Sequence, residues 1–113
     1  MRWAWSSQVS DADVDPQDAK LATLARAART RVAAASGAAV RDTTGRSYAS
    51  AEVTLGRAHL SAIVLATAQA VAAGASGLEA VVVDGVEPST ADLDAVTAAG
   101  GQGVPVRVLD QTG

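Results

Sequence analysis

The sequence predicts an α/β layered domain built on a mixed sheet, with an N-terminal β-hairpin and two parallel strand-helix-strand connections. Three observations lead there. Residues 60–73, LSAIVLATAQAVAA, are apolar on nearly every side; Leu78 to Asp84, LEAVVVD, is an unbroken apolar run; and from that run onward helical and strand-like segments alternate. A short Val-rich run bounded by Gly77 and Gly85 is the pattern of a strand covered on both faces of a partly parallel sheet. Alternation of such strands with helices builds parallel units with right-handed crossovers.

The first helix starts at Asp15-Pro16-Gln17-Asp18. Asp15 can cap free backbone N–H groups, Pro16 suits the first helical position, and Asp18 sits well at the positive end of the helix dipole. Leu21, Leu24, Ala25, Ala28 and Val32 then form one apolar stripe at helical spacing, and Ser36-Gly37 marks the end. The stretch GAAVRDTTGRSYASAEV reads as two strands turning at Asp42-Thr43-Thr44-Gly45, with Val40 on the first strand and Tyr48 or Val53 on the second.

The second helix spans about His59 to Ala73, with polar groups only at His59, Ser61, Thr67 and Gln69. Such a helix has no broad face to give to water and needs cover on more than one side. Gly74 and Gly77 stop it. A third helix runs from about Thr90 to Ala99, with Leu93 and Val96 turned inward and Gly100-Gly101 as its end, and VPVRVLD is the last strand. The glycine clusters after the second and third helices follow helices rather than opening them, so they read as stops and not as phosphate cradles.

With 113 residues the chain is the size of one domain. Residues 1–14, which hold Trp3, Trp5 and all but the last residue of the acidic run DADVD, show no period and read as an N-terminal arm ahead of a domain at 15–113. Apolar residues make up 49% of the chain but there is no Phe and, besides the two Trp, only one Tyr, so the core is built from Ala, Val, Leu and Ile. A net charge of -3 with scattered Arg argues against a nucleic-acid groove. No run reaches the ~20 apolar residues of a membrane span, and no signal peptide is visible, which points to a cytoplasmic protein. Lack of Cys removes disulfides, thiolate nucleophiles and sulfur-ligated zinc, and a single His adds little to a metal site.

Taken together, SGAAVRDTTGRSYASAEV, SAIVLATAQAVAAG, LEAVVVD and Pro88-Ser89-Thr90-Ala91-Asp92 resemble the small cytidine deaminases over roughly residues 16–110. The likeness is to small proteins of high-GC Gram-positive bacteria with a degenerate zinc site. In that family the central helix opens with a Cys- or His-Ala-Glu motif and the next helix with Pro-Cys-x-x-Cys; three ligands hold a zinc that activates water, and the Glu shuttles protons. The resemblance places Ser61 at the first ligand position, Ile63 at the Glu, and Ser89 and Asp92 at the two Cys. It places Glu52-Val53-Thr54 where the family holds the ribose, making Glu52 and Thr54 the equivalents of substrate-binding residues.

Neutral Ser hydroxyls are poor zinc ligands and Ile63 has no titratable group. The expected reading is therefore a catalytically inactive relative with no catalytic residue, no metal and no cofactor. It would act as a homo-oligomer or through a protein partner, because members of this family resemble oligomers with central helices near subunit contacts. The alternatives are a zinc-dependent cytidine or nucleoside deaminase of pyrimidine salvage, and a sensor that binds a nucleoside without converting it. Read from the residues alone, Ser89 with Asp92 three positions on is close to a capping box, and Ser61 belongs to the first turn of the second helix. A Ser61 nucleophile served by His59, with Asp92 approaching across the fold, is the competing assignment. Residues two apart on a helix do not face each other, which weighs against that pair, and His59 reads as a surface or helix-end residue.

Overall fold

The computed structural model describes residues 16–109. The Asp15 cap and the arm with Trp3 and Trp5 lie outside the described residues, as does Asp110 at the end of the expected last strand. The elements are α1 (Pro16–Arg31), β1 (Gly37–Asp42), β2 (Ser47–Ala51), β3 (Val53–Leu55), β4 (Ala58–Leu60), α2 (Ala62–Ala72), β5 (Leu78–Asp84), α3 (Thr90–Gly100) and β6 (Val106–Val108). Four strands form the main sheet in the order β2-β1-β5-β6, and β3 and β4 pair separately.

The mixed sheet and both parallel connections are present. β5 and β6 pair in parallel, Val81 opposite Val106 and Val83 opposite Val108, with α3 as the crossover. β1 is antiparallel to both β2 and β5. β2 and β5 therefore run the same way on either side of β1, and α2 connects them.

Alternation along β5 sorts the core into two layers. Val81 and Val83 meet α2 and α3 together with Val40, Ala66, Ala70 and Val96, whereas Ala80 and Val82 meet Leu21, Ala22 and Ala25 of α1. The small side chains bring α1 very close to the sheet: a Cβ on Gly37 would lie 2.3 Å from the Ala25 carbonyl oxygen, so no larger residue fits there.

The β1-β2 turn is held by Asp42, a buried side chain. Its carboxylate accepts from the Thr44 hydroxyl (2.7 Å), the Thr44 and Arg46 N–H groups and the Tyr48 hydroxyl. These donors, the Thr44 hydroxyl foremost, lower its pKa to about 2.

Three details differ from the sequence expectation. On α1 the buried face is Leu21, Ala22, Ala25 and Ala28, while Leu24 is 38% exposed and Val32, beyond the helix end, 62%. A face centred near Ala25 leaves Leu24 about 100° to one side at the helical pitch, and Ala22 takes its place. The second strand ends at Ala51 instead of running through Val53, because a further hairpin follows: Val53 pairs with Leu60 and Leu55 with Ala58 around Gly56, whose φ of +58° suits the tight loop. That hairpin takes His59 out of the second helix, which begins at Ala62 with Ser61 as its cap.

The cover on more than one side expected for α2 is not supplied within the chain, where one face is buried and the other is open. Ala62, Ile63, Ala66, Thr67 and Ala70 are buried, with Ile63 and Ala66 in the core, while Ala68, Val71 and Ala72 are exposed and Val64 is half-buried. Among the described residues no helix is long and apolar enough to cross a membrane.

Candidate functional site

The N-termini of α2 and α3 meet at one side of the sheet, and Asp92 joins them. Ser61 caps α2: its extended backbone leaves the hydroxyl oxygen free to accept the Val64 N–H at 3.0 Å. Ser89 caps α3 in a complete capping box, its hydroxyl accepting from the Asp92 N–H (3.1 Å) while the Asp92 carboxylate accepts from the Ser89 N–H (2.9 Å). The capping box expected from Ser89 and Asp92 is present in full.

The second carboxylate oxygen of Asp92 reaches across to α2. It accepts from the Ser61 hydroxyl at 2.6 Å, a bond between residues 31 apart in the chain. Asp92 is 6% exposed, so this negative group is largely withdrawn from water and stands where the positive ends of two helix dipoles converge. Ser61, Ser89 and Asp92, which the resemblance assigned to one site, are thus brought together. Ile63, the fourth position, is 1% exposed and belongs to the apolar core beneath α2.

Glu52, Thr54 and His59 form a second polar group beside the β3-β4 hairpin. The Thr54 hydroxyl lies 3.0 Å from His59 Nδ1, Glu52 Oε1 lies 3.9 Å from His59 Nε2, and the Ser36 hydroxyl donates to Glu52 at 3.2 Å. Among the described residues no hydrogen bond or ion pair links this group to Ser61 or Asp92. His59 is on β4 rather than on the helix, and its ring is engaged by Thr54. Its separation from Ser61 therefore has a different cause from the helical one expected.

Sequence reasoning placed Asp92 within its own helix and raised its approach to Ser61 only as part of a nucleophilic arrangement. The bond that forms is structural in its geometry: the Ser61 hydroxyl gives its proton to Asp92 and accepts from the α2 backbone. A Ser at a helix cap facing an Asp in the first turn of the next helix was the only signal for it.

The sequence of residues 14–113 matches the Cytidine deaminase-like family. No curated protein matches it. Among solved structures, the fold is similar to the crystal structure of cytidine deaminase from Mycobacterium leprae, with a TM-score of 0.66 over 88% of this chain and 92% of that one, at 20% sequence identity. At that identity the structural likeness speaks for the fold alone, whereas the family match runs over nearly the whole length of this chain, and the chain belongs to the cytidine deaminase-like family.

Proposed function

We propose that this chain is a non-catalytic member of its family, which acts through its surfaces as a homo-oligomer or on a protein partner. The observation that carries the reading is the Ser61-Asp92-Ser89 lock. Three positions that hold zinc ligands in the enzymes are here two hydroxyls and one carboxylate, and all three are committed to capping α2 and α3 and to each other. Such a donor set does not fit zinc, which takes thiolate, imidazole or carboxylate. Among the described residues no three His, Cys, Asp or Glu side chains are grouped so as to hold a metal ion. Ile63 removes the proton shuttle independently, and its burial leaves no room for a water in its place.

The surface reading is supported by the uncovered side of α2. Val64, Thr67, Ala68 and Val71, with Ala95 and Ala98 of α3, border an open apolar groove of about 490 Å³ without a charged lining residue. A solvent-facing apolar strip of this kind supports a role in contacts with another surface.

Purified protein should contain zinc far below one equivalent and leave the absorbance of cytidine unchanged, including after incubation with added zinc. Stoichiometric zinc with conversion of cytidine to uridine would establish the enzyme and overturn the non-catalytic reading.

A further inference from the structure

We infer that the outer edge of β2 is the contact between two copies of this chain, with β2 pairing antiparallel to the same strand of a second copy about a two-fold axis at Ala49. The inference rests on the homo-oligomer form of the proposed function and does not depend on the loss of catalysis.

β2 and β6 are the two outer strands of the main sheet, and they differ. β6 is three residues long, and Val106, Arg107 and Val108 are all buried. β2 is five residues long, with Ser47 exposed and Tyr48, Ala49 and Ser50 half-buried. The bonds that flank β2 fix which backbone groups it presents. The Asp42 N–H donates to the Arg46 carbonyl (2.8 Å) and the Glu52 N–H to the Ser36 carbonyl (3.1 Å), so the even-numbered residues turn their backbone groups to β1. Alternation along an antiparallel pair then turns those of Ser47, Ala49 and Ala51 outward. The Ala49 carbonyl accordingly accepts from the side chain of Gln69, which reaches over from α2 (3.1 Å). The outward N–H groups meet no acceptor among the described residues. The Ala49 and Ala51 carbonyls each accept one side-chain bond, from Gln69 and Ser50, and a carbonyl oxygen has a second lone pair.

Strand edges that stay single are guarded by charge, Pro or a bulge. Ser47-Tyr48-Ala49-Ser50-Ala51 carries no charge and no Pro, and its register with β1 is unbroken. The faces of β2 are already covered, Tyr48 packing on the α2 side and Ala49 on the α1 side. What stays open is the hydrogen-bonding edge itself.

Charge selects the occupant. Arg46 stands one residue before β2 and Glu52 one residue after it. Pairing with a second copy about Ala49 sets Ser47 opposite Ala51, Tyr48 opposite Ser50 and Arg46 opposite Glu52, the last pair at both ends. The same register brings the outward donors of Ser47, Ala49 and Ala51 to outward acceptors, so the charges and the hydrogen bonds agree on one alignment. Among the described residues Arg46 is exposed and takes part in no ion pair. The Ser36 hydroxyl donates to Glu52 Oε1, which leaves Oε2 for a partner. A second copy brings to this edge both the missing acceptors and the two opposite charges.

Sedimentation of the full chain should show a concentration-dependent dimer. Hydrogen exchange followed by NMR should show the Ser47 and Ala49 amides protected in the dimer and unprotected on dilution. Arg46→Glu sets Glu against Glu at both ends and should weaken the dimer about tenfold. Arg46→Glu/Glu52→Arg exchanges the two charges and should restore it, with circular dichroism verifying the fold of both variants. A chain that sediments as a monomer at every concentration overturns the edge contact and the homo-oligomer together, and the non-catalytic reading is then judged by zinc and cytidine turnover alone. A dimer in which the Ser47 and Ala49 amides exchange freely, or which ignores Arg46→Glu, overturns the edge contact while the homo-oligomer stands. Weakening by Arg46→Glu without recovery in the double variant overturns the register centred on Ala49.

Discussion

Ile63→Glu should strongly destabilise the fold, although the resemblance to the family's enzymes places their Glu at this position. Ile63 is 1% exposed and packed in the apolar layer between α2 and the sheet. An unpaired carboxylate there adds a desolvation penalty of several kcal/mol to the lost apolar burial, a total of about 4 kcal/mol or more. Against the ~5–15 kcal/mol that stabilises a domain of this size, that is a large fraction. Thermal melting read by circular dichroism checks it. A variant that melts within a few degrees of the parent would show that Ile63 is not in the core. Ala66→Asp, at 0% exposure on the same face, belongs to the same class. Both substitutions act on folding.

Asp92→Ala should cost about 3 kcal/mol in urea unfolding. It deletes the acceptor of the Ser61 hydroxyl and half of the α3 capping box, and it leaves the Ser61 proton and the Ser89 N–H without their partner. Ser61→Ala removes the α2 cap for about 1 kcal/mol. Because the two side chains share a bond, the double variant should fall short of the sum by about 1 kcal/mol. Full additivity, or an Asp92→Ala loss below ~0.5 kcal/mol, would mean that the lock contributes nothing to holding α2 against α3.

Much of the architecture was legible because its signals are local. Leu78–Asp84 is Val-rich and bounded by Gly, the turn at Asp42-Gly45 carries its own Asp cap, and Ser89-Asp92 has capping spacing; each decides its own conformation within a few residues. The β3-β4 hairpin was not legible. Its strands are three residues each, Gly56-Arg57 lacks the Asn-Gly or Asp-Gly signature, and the apolar residues Leu55 and Leu60 blend into the run that opens α2. Reading His59 as helical followed from that miss. The choice of Ala22 over Leu24 on α1 was equally hidden, since the sheet selects the face and a stripe that wide admits either.

The candidate site was half legible. Family resemblance set Ser61, Ser89 and Asp92 at one place, and the capping box was readable within α3. The bond from Ser61 to Asp92 was not readable from either segment, since a contact across 31 residues leaves no periodicity and depends on how the helices are laid on the sheet. The α2/α3 groove was anticipated only as a helix with too much apolar surface; which residues face out became clear from packing against β1 and β2.

The central claim is that Ser61, Ser89 and Asp92 occupy a zinc site whose ligands have been replaced by a hydrogen-bonded lock. Zinc titration of the parent chain beside the triple variant Ser61→Cys/Ser89→Cys/Asp92→Cys tests it most directly, because three thiolates with an open fourth position are the ligand set that zinc takes. The account predicts one equivalent bound by the triple variant and none by the parent. Stoichiometric zinc on the parent, or no zinc on a folded triple variant, would contradict it.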